Sequence, residues 1–262
     1  MAQPTSADLQ RRNPEHKVEV EPSPRWVRAV VNGETIASSK RAKLLCETGS
    51  RPVYYFPRED VRTDLLEATD HHTRCPYKGE ASYWTMRVGD RVTENAVWSY
   101  VDPFPEHNDI CEYMAIYWNR VDAWYEEAEE IFSHPRDPHH RVDVLESTRH
   151  VRIAINGQTI AETSRPRLLF ETGHPTRYYI PPEDVRMDWL APTEQHTRCP
   201  YKGEASYWTA RVGDQDLTDI VWGYPDPIAE CPRIKGYLSF FNEKVDVYVD
   251  GELQTRPVTG WS

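Results

Sequence analysis

The sequence predicts a mainly β protein made of two tandem copies of one small antiparallel domain. Three observations carry that reading. The stretch Cys75-Pro-Tyr-Lys-Gly-Glu-Ala-Ser-Tyr-Trp-Thr85 returns letter for letter as residues 199–209. The same offset aligns most of the chain without a gap. Asn32-Gly33 falls on Asn156-Gly157, Glu47-Thr48-Gly49 on Glu171-Thr172-Gly173, Tyr54-Tyr55 on Tyr178-Tyr179, and Trp98 on Trp222. Finally, strand signals recur throughout, and no stretch sustains the 3.6-residue period of an amphipathic helix.

The elements follow in order. Residues 1–24 are polar and aperiodic, and read as a disordered or draped arm. The first β domain covers residues 25–126. Val27-Arg-Ala-Val-Val31 and Glu34-Thr-Ile-Ala37 flank Asn32-Gly33, a hairpin signal because Asn and Gly accept the positive φ of a tight primed turn. Val53-Tyr-Tyr-Phe56 is a strand stopped by Pro57, which starts one or two helical turns. Ser82 to Val88 is a strand turned at Gly89-Asp90, and its partner leads to Val97-Trp-Ser-Tyr100. A last pair is expected at Tyr113 to Trp118 and Val121 to Tyr125. Residues 127–149 form a linker whose acidic start suggests a short helical extension, before prolines forbid helix. The second β domain, residues 150–262, repeats the plan and ends with a hairpin at Asp250-Gly251. Duplicated domains often keep an ancestral dimer interface, so an intrachain pseudo-dimer about a pseudo-two-fold axis is expected, in a chain that is otherwise monomeric.

Composition narrows the function. With 15 tyrosines and 9 tryptophans, both the core and any pocket should be aromatic. A net charge of −11 repels phosphate backbones, so nucleic-acid binding is not expected. No apolar run approaches the ~18 residues of a membrane span, and none resembles a secretory leader. The five cysteines are odd in number and lack a Cys-x-x-Cys pair, which fits reduced thiols in the cytoplasm.

The chemistry concentrates in His72-Thr-Arg-Cys-Pro-Tyr-Lys-Gly-Glu80 and its twin, read as a loop leading into a strand. Cys75 is a candidate nucleophile with Lys78 favouring its thiolate and His72 as base, and Cys199, Lys202 and His196 repeat the set. A second reading makes a pocket for an anion. Arg74 and Lys78, with Arg62, grip its charge, Glu47 lies nearby, and Tyr77, Tyr83 and Trp98 wall it. Glu171, Arg186, Arg198, Tyr201, Tyr207 and Trp222 do the same in the second copy. A third reading pools His72, Cys75, His196 and Cys199 as zinc ligands. Each copy offers too few ligands for that, so neither metal nor cofactor is expected. The linker histidines His134, His139 and His140 read as solvated. Asp60-Val-Arg62-x-Asp64 and its twin read as salt bridges that order a turn rather than a metal-binding pair. The structural alternative makes Cys75 a small buried group and pairs Lys78 with Glu80 or Glu47.

With those motifs on view, both halves resemble the domain of unknown function 427 family, which also carries a nucleotidyltransferase label. The resemblance rests on Asn-Gly-x-x-Ile-Ala at 32–37, Glu-Thr-Gly at 47–49, Tyr-Tyr-x-Pro at 54–57 and Glu-Asp-Val-Arg at 59–62. It continues through His-Thr-x-Cys-Pro-Tyr-Lys-Gly-x-Ala-x-Tyr-Trp at 72–84 and Val-Trp-x-Tyr-x-Asp-Pro at 97–103, each repeated in the second copy. It implies a small Mss4-like or β-tent-like fold. The phosphate-placing Gly-Ser and Asp-x-Asp pattern of nucleotidyltransferases is absent. Together these readings predict binding, with turnover by a transferase or hydrolase step as an extension, of a small anionic or nucleotide-like metabolite at the Cys-Pro-Tyr-Lys-Gly loop. The competing class is a non-catalytic scaffold or protein-interaction module.

Overall fold

The computed structural model describes residues 13–262. The part of the expected arm before residue 13 lies outside the described residues. The chain divides into two compact units, Met1–Asp137 and Pro138–Ser262. Both are built from antiparallel strands joined by tight turns and short 3-10 turns.

The first unit holds β1 (Val18–Pro22), β2 (Val27–Val31), β3 (Glu34–Ser39), β4 (Lys43–Glu47), β5 (Val53–Pro57), β6 (Leu66–Cys75), β7 (Gly79–Val88), β8 (Arg91–Pro103), β9 (Tyr113–Ile116), β10 (Ala123–Glu126) and β11 (Glu129–Ile131). Seven of them form one sheet in the order β1-β4-β5-β9-β8-β7-β6, and four form a second in the order β11-β10-β2-β3. The second unit repeats every strand: β12 (Val142–Glu146), β13 (Val151–Ile155), β14 (Gln158–Thr163), β15 (Arg167–Glu171), β16 (Arg177–Tyr179), β17 (Leu190–Cys199), β18 (Gly203–Val212), β19 (Gln215–Gly223), β20 (Leu238–Phe240), β21 (Asp246–Val249) and β22 (Glu252–Leu253). Its large sheet is interrupted between β16 and β20, where only the Ile180–Leu238 bridge remains.

The hairpin signals are where the sequence placed them. Asn32 and Gly33 sit at φ 51° and 75°, and Asn156 and Gly157 at 50° and 76°. Both central residues therefore have positive φ, as a type I′ turn requires. Each unit has two apolar clusters. One lies between its two sheets and contains Val27, Ile36, Phe56, Val97 and Trp124 in the first unit. The other is rich in tyrosine and covers the opposite face of the large sheet, with Tyr55, Tyr83, Tyr100 and Ile110. Strand alternation explains the pair: β5 sends Tyr54 and Phe56 one way and Tyr55 the other.

Four expectations need correction. Residues 18–22 are strand β1, paired over five residues with β4, and not part of a draped arm. Residues 142–146 are likewise strand β12, paired with β15, within the expected linker. The expected helical extension is strand β11, because Glu127 takes φ 53° and turns the chain back into a hairpin with β10. The expected last pair does not form. β9 pairs with β5 and β8, while β10 pairs with β2 and β11.

Candidate functional site

Residues His72 to Cys75 are not loop but the end of β6, so the turn into β7 consists of Pro76, Tyr77 and Lys78 alone. This matters because a strand sends alternate side chains to opposite faces. Cys75 packs against the tyrosine cluster, and Thr73 hydrogen-bonds the Tyr83 hydroxyl at 2.7 Å on that same face. His72 and Arg74 point outward. The His72 Nδ1 lies 3.5 Å from Ser82 Oγ and 3.9 Å from Glu80. In the second unit His196 is 3.9 Å from Glu204, which pairs with Arg198 at 2.7 Å. The structure does not bring His72 to Cys75, nor His196 to Cys199, so the proposed base and nucleophile are separated by the sheet itself.

Arg62 also stands apart. Its backbone N–H bonds Ile36 on β3, and its guanidinium is taken by Asp64 at 2.6 and 2.8 Å. Arg186 pairs with Asp188 in the same way. Asp60 accepts from Ser39 at 2.6 Å and Arg41 at 2.8 Å. The acids around Arg62 therefore order a surface turn, as the salt-bridge reading expected. Trp98 and Trp222 donate to Tyr55 and Tyr179, each at 3.2 Å, inside the tyrosine cluster.

Lys78, Glu47 and Tyr77 do come together, and they bring a residue the sequence reading missed. Lys78 is buried and donates its ammonium to Glu47 at the end of β4. The other Glu47 oxygen lies 3.1 Å from His16 Nε2. The His16 ring stacks on Tyr77, centroids 3.7 Å apart and planes 12° from parallel. The second unit repeats the quartet: Lys202 to Glu171 at 2.5 Å, His140 Nε2 to Glu171 at 3.0 Å, and His140 on Tyr201 at 4.1 Å. An ionised carboxylate only accepts hydrogen bonds, so Nε2 carries the proton and Nδ1 keeps its lone pair. His16 is held there because β1 pairs with β4, while Lys17 and Thr48 exchange hydrogen bonds at 2.9 and 3.0 Å.

Electrostatics set the chemistry available. Burial pushes the Glu171 carboxyl upward, but Lys202, His140 and His174 outweigh it and hold it below the usual range. Burial pushes the phenols of Tyr55 and Tyr100 well above their ordinary value, and those of Tyr179 and Tyr224 likewise. These phenols stay protonated and serve as hydrogen-bonding groups rather than bases. Near Lys78 and Glu47, burial pushes the His107 imidazole down, and its Nε2 is enclosed without a hydrogen-bond partner among the described residues. At the matching position of the second unit stands Cys231, a buried thiol raised to about 11 by desolvation. A cleft of about 170 Å³ elsewhere in the second unit is lined by Pro175, Thr176, Tyr178 and Asn242, and by none of the predicted ligand-binding residues.

The signal for His16 was present in the sequence. His16-Lys-Val-Glu-Val20 falls on His140-Arg-Val-Asp-Val144 at the repeat offset, with alternating apolar positions in both. It was hidden by the polar, proline-bearing residues around each copy.

Fold and site thus define a tandem β-domain protein that carries one Lys–Glu–His–Tyr cluster per domain. Residues 19–127 and 143–251 each match the family described as "Domain of unknown function (DUF427)", and the chain belongs to that family as two consecutive copies. No curated protein matches the chain. Among the described residues no helix is long and apolar enough to cross a membrane.

Proposed function

We propose that each domain binds a small metabolite at the Lys–Glu–His–Tyr cluster, with the imidazole as the group that meets the ligand. The observation that carries this reading is the imidazole itself. One nitrogen is fixed by Glu47, the ring is stacked on Tyr77, and Nδ1 has no protein partner among the described residues. A carboxylate-oriented imidazole is a standard acid–base group. His107, with its enclosed and unpartnered nitrogen, adds a second polar group close to Lys78 in the first domain.

The charge balance refines the expected ligand. Lys78 and Lys202 are already neutralised by Glu47 and Glu171, so they do not offer a bare cation to an anion. An anionic or nucleotide-like ligand would be held mainly by stacking and by hydrogen bonds to imidazole and phenol. The same pairing favours a second reading. A buried ion pair that ties the β6–β7 turn to β4 is also what a non-catalytic scaffold module would use.

Native mass spectrometry of the full chain, followed by binding assays on whatever co-purifies, tests the two readings. A bound small molecule lost in His16→Ala/His140→Ala, with little change in melting temperature, supports the first. A ligand-free chain whose double variant is strongly destabilised supports the scaffold.

A further inference from the structure

We propose that the second domain alone binds one divalent transition-metal ion, of the zinc class, through His140, Glu171 and His174. The proposal starts from the cluster described above but adds a residue the first domain lacks, and it requires no organic ligand.

One ligand atom from each of the three residues lies within 4.8 Å of the other two. The His140 Nε2 to Glu171 Oε1 edge is 3.0 Å. Zinc bonds of about 2.0–2.2 Å in a tetrahedral site set ligand–ligand edges of roughly 3.3–3.6 Å, so this edge needs to open by only a few tenths of an ångström. His174 must close the rest of the way. It is exposed on the turn after Gly173, its ring centroid 5.8 Å from that of Trp261.

The surroundings orient all three groups as metal ligands require. His174 Nδ1 is 2.9 Å from the Thr172 carbonyl, which fixes the ring proton there and leaves Nε2 with its lone pair. Metal-binding imidazoles are commonly held by this kind of outer contact. Lys202 occupies only Oε2 of Glu171, so Oε1 can be shared with an ion without breaking the buried pair. The His140 ring is braced by Tyr201 at 4.1 Å. The ion would replace the proton that His140 Nε2 places on Glu171, and that proton passes by way of solvent to Nδ1, so the ring binds as the neutral Nδ1–H tautomer. Three protein ligands leave a fourth position on the exposed side for water or substrate. Two imidazoles and one carboxylate favour zinc, cobalt or nickel over magnesium and calcium, which prefer all-oxygen shells.

The first domain provides an internal control. Its turn is the same, with Gly49 at φ 76° against 74° for Gly173, and Ser50 N–H bonding Glu47 O at 2.9 Å against 3.1 Å for His174 and Glu171. Ser50 stands where the second domain has His174, so that site lacks its third ligand.

The test uses the full chain, stripped with a chelator and dialysed. Zinc is added under calorimetry and cobalt under visible absorption. The expected result is one ion per chain, with cobalt bands of tetrahedral intensity that excess magnesium or calcium does not remove. His174→Ala should lower the affinity at least about tenfold while leaving the melting temperature of the metal-free chain unchanged. Ser50→His should raise the stoichiometry from one to two. Absence of saturable binding overturns the proposal, as does binding that His174→Ala leaves unchanged. Neither result touches the small-molecule reading, which the His16→Ala variant tests in the first domain.

Discussion

Lys78 reaches from the β6–β7 turn to the carboxylate of Glu47 at the end of β4, and its side chain is only 6 % exposed against 15 % for Glu47. Removing the ammonium leaves a nearly buried carboxylate whose remaining hydrogen-bond partner among the described residues is His16. Lys78→Met should therefore destabilise the first domain by about 3–5 kcal/mol, the usual cost of leaving a buried charge unpaired. Lys78→Met/Glu47→Leu should recover most of that, because both charges are gone. Chemical denaturation of the two variants checks this, and equal losses in both would show that packing, not charge, dominates.

The second domain has an ion pair the first one lacks. Arg177 donates twice to Glu243, at 2.7 Å each, and Thr259 donates to the same carboxylate at 2.7 Å. Burial pushes the Glu243 carboxyl up, but the bonds from Arg177 and Thr259 outweigh it and hold it at about 2, against an ordinary 4.5. A depressed folded-state value means the unfolded chain binds the proton more readily. The contribution is then complete above about pH 4.5 and is lost as pH falls toward 2. Glu243→Gln should flatten the acid limb of second-domain stability over that window. An unchanged acid limb would mean the pair carries little coupling.

Gly79 and Gly203 set the turn that delivers each lysine. They sit at φ +106° and +107°, and an added Cβ would lie 3.3 Å from the Asp102 carbonyl oxygen and 3.2 Å from the Ile228 nitrogen. Both the backbone angle and the backbone contact oppose a side chain. Gly79→Ala should cost about 1–3 kcal/mol and loosen the Lys78–Glu47 contact. Thermal melting measures the first effect. Hydrogen exchange at the Phe104 amide, which bonds the Lys78 carbonyl at 3.1 Å, reads the second.

Two thiols should resist alkylation. Desolvation raises Cys46 to about 12, with nearby Asp137, Glu21 and Glu19 adding to it, and raises Cys231 to about 11. Because the thiolate is the reactive form, both should label slowly with iodoacetamide near neutral pH. A time course read by peptide mass spectrometry gives the order. Labelling of Cys46 and Cys231 at the rate of a free thiol would contradict the burial argument.

What the sequence made legible was set by local chemistry. Asn-Gly fixed the first hairpin of each unit, Pro57 marked the first 3-10 turn, and letter-for-letter repetition fixed the two-domain plan. β6 was missed because it is polar and almost wholly exposed along Leu66–Cys75, so no alternation marks it. That single omission turned a strand into a loop and put His72 and Arg74 in one pocket with Cys75. Lys78 with Glu47 was legible only as one of two pairings, Glu80 being the other, since all three lie near the same turns and nothing local chooses between them. His16 and His140 were not, because each sits in a segment whose prolines and charges suggest solvent, and only pairing with β4 and β15 brings them to the carboxylates.

The strand status of residues 18–22 gives the last prediction. Val18 and Val20 pack against the tyrosine cluster, and Val20 stands opposite Leu45 in the ladder with β4. A draped arm would tolerate a charge at either position. A paired strand would not, because the charge displaces apolar contact and must be desolvated against Leu45 and Tyr55. Val20→Asp should therefore destabilise the first domain by about 2 kcal/mol or more, combining lost apolar burial with that desolvation. The effect should also reach the site. With β1 loosened, His16 loses its fixed approach to Glu47, so any ligand held by the imidazole should bind more weakly to the first domain and unchanged to the second. Val144→Asp, the corresponding change in β12, should reverse the pattern. Denaturant melts and domain-resolved hydrogen exchange on the two variants would show it, and stability unchanged by Val20→Asp would return residues 18–22 to the arm.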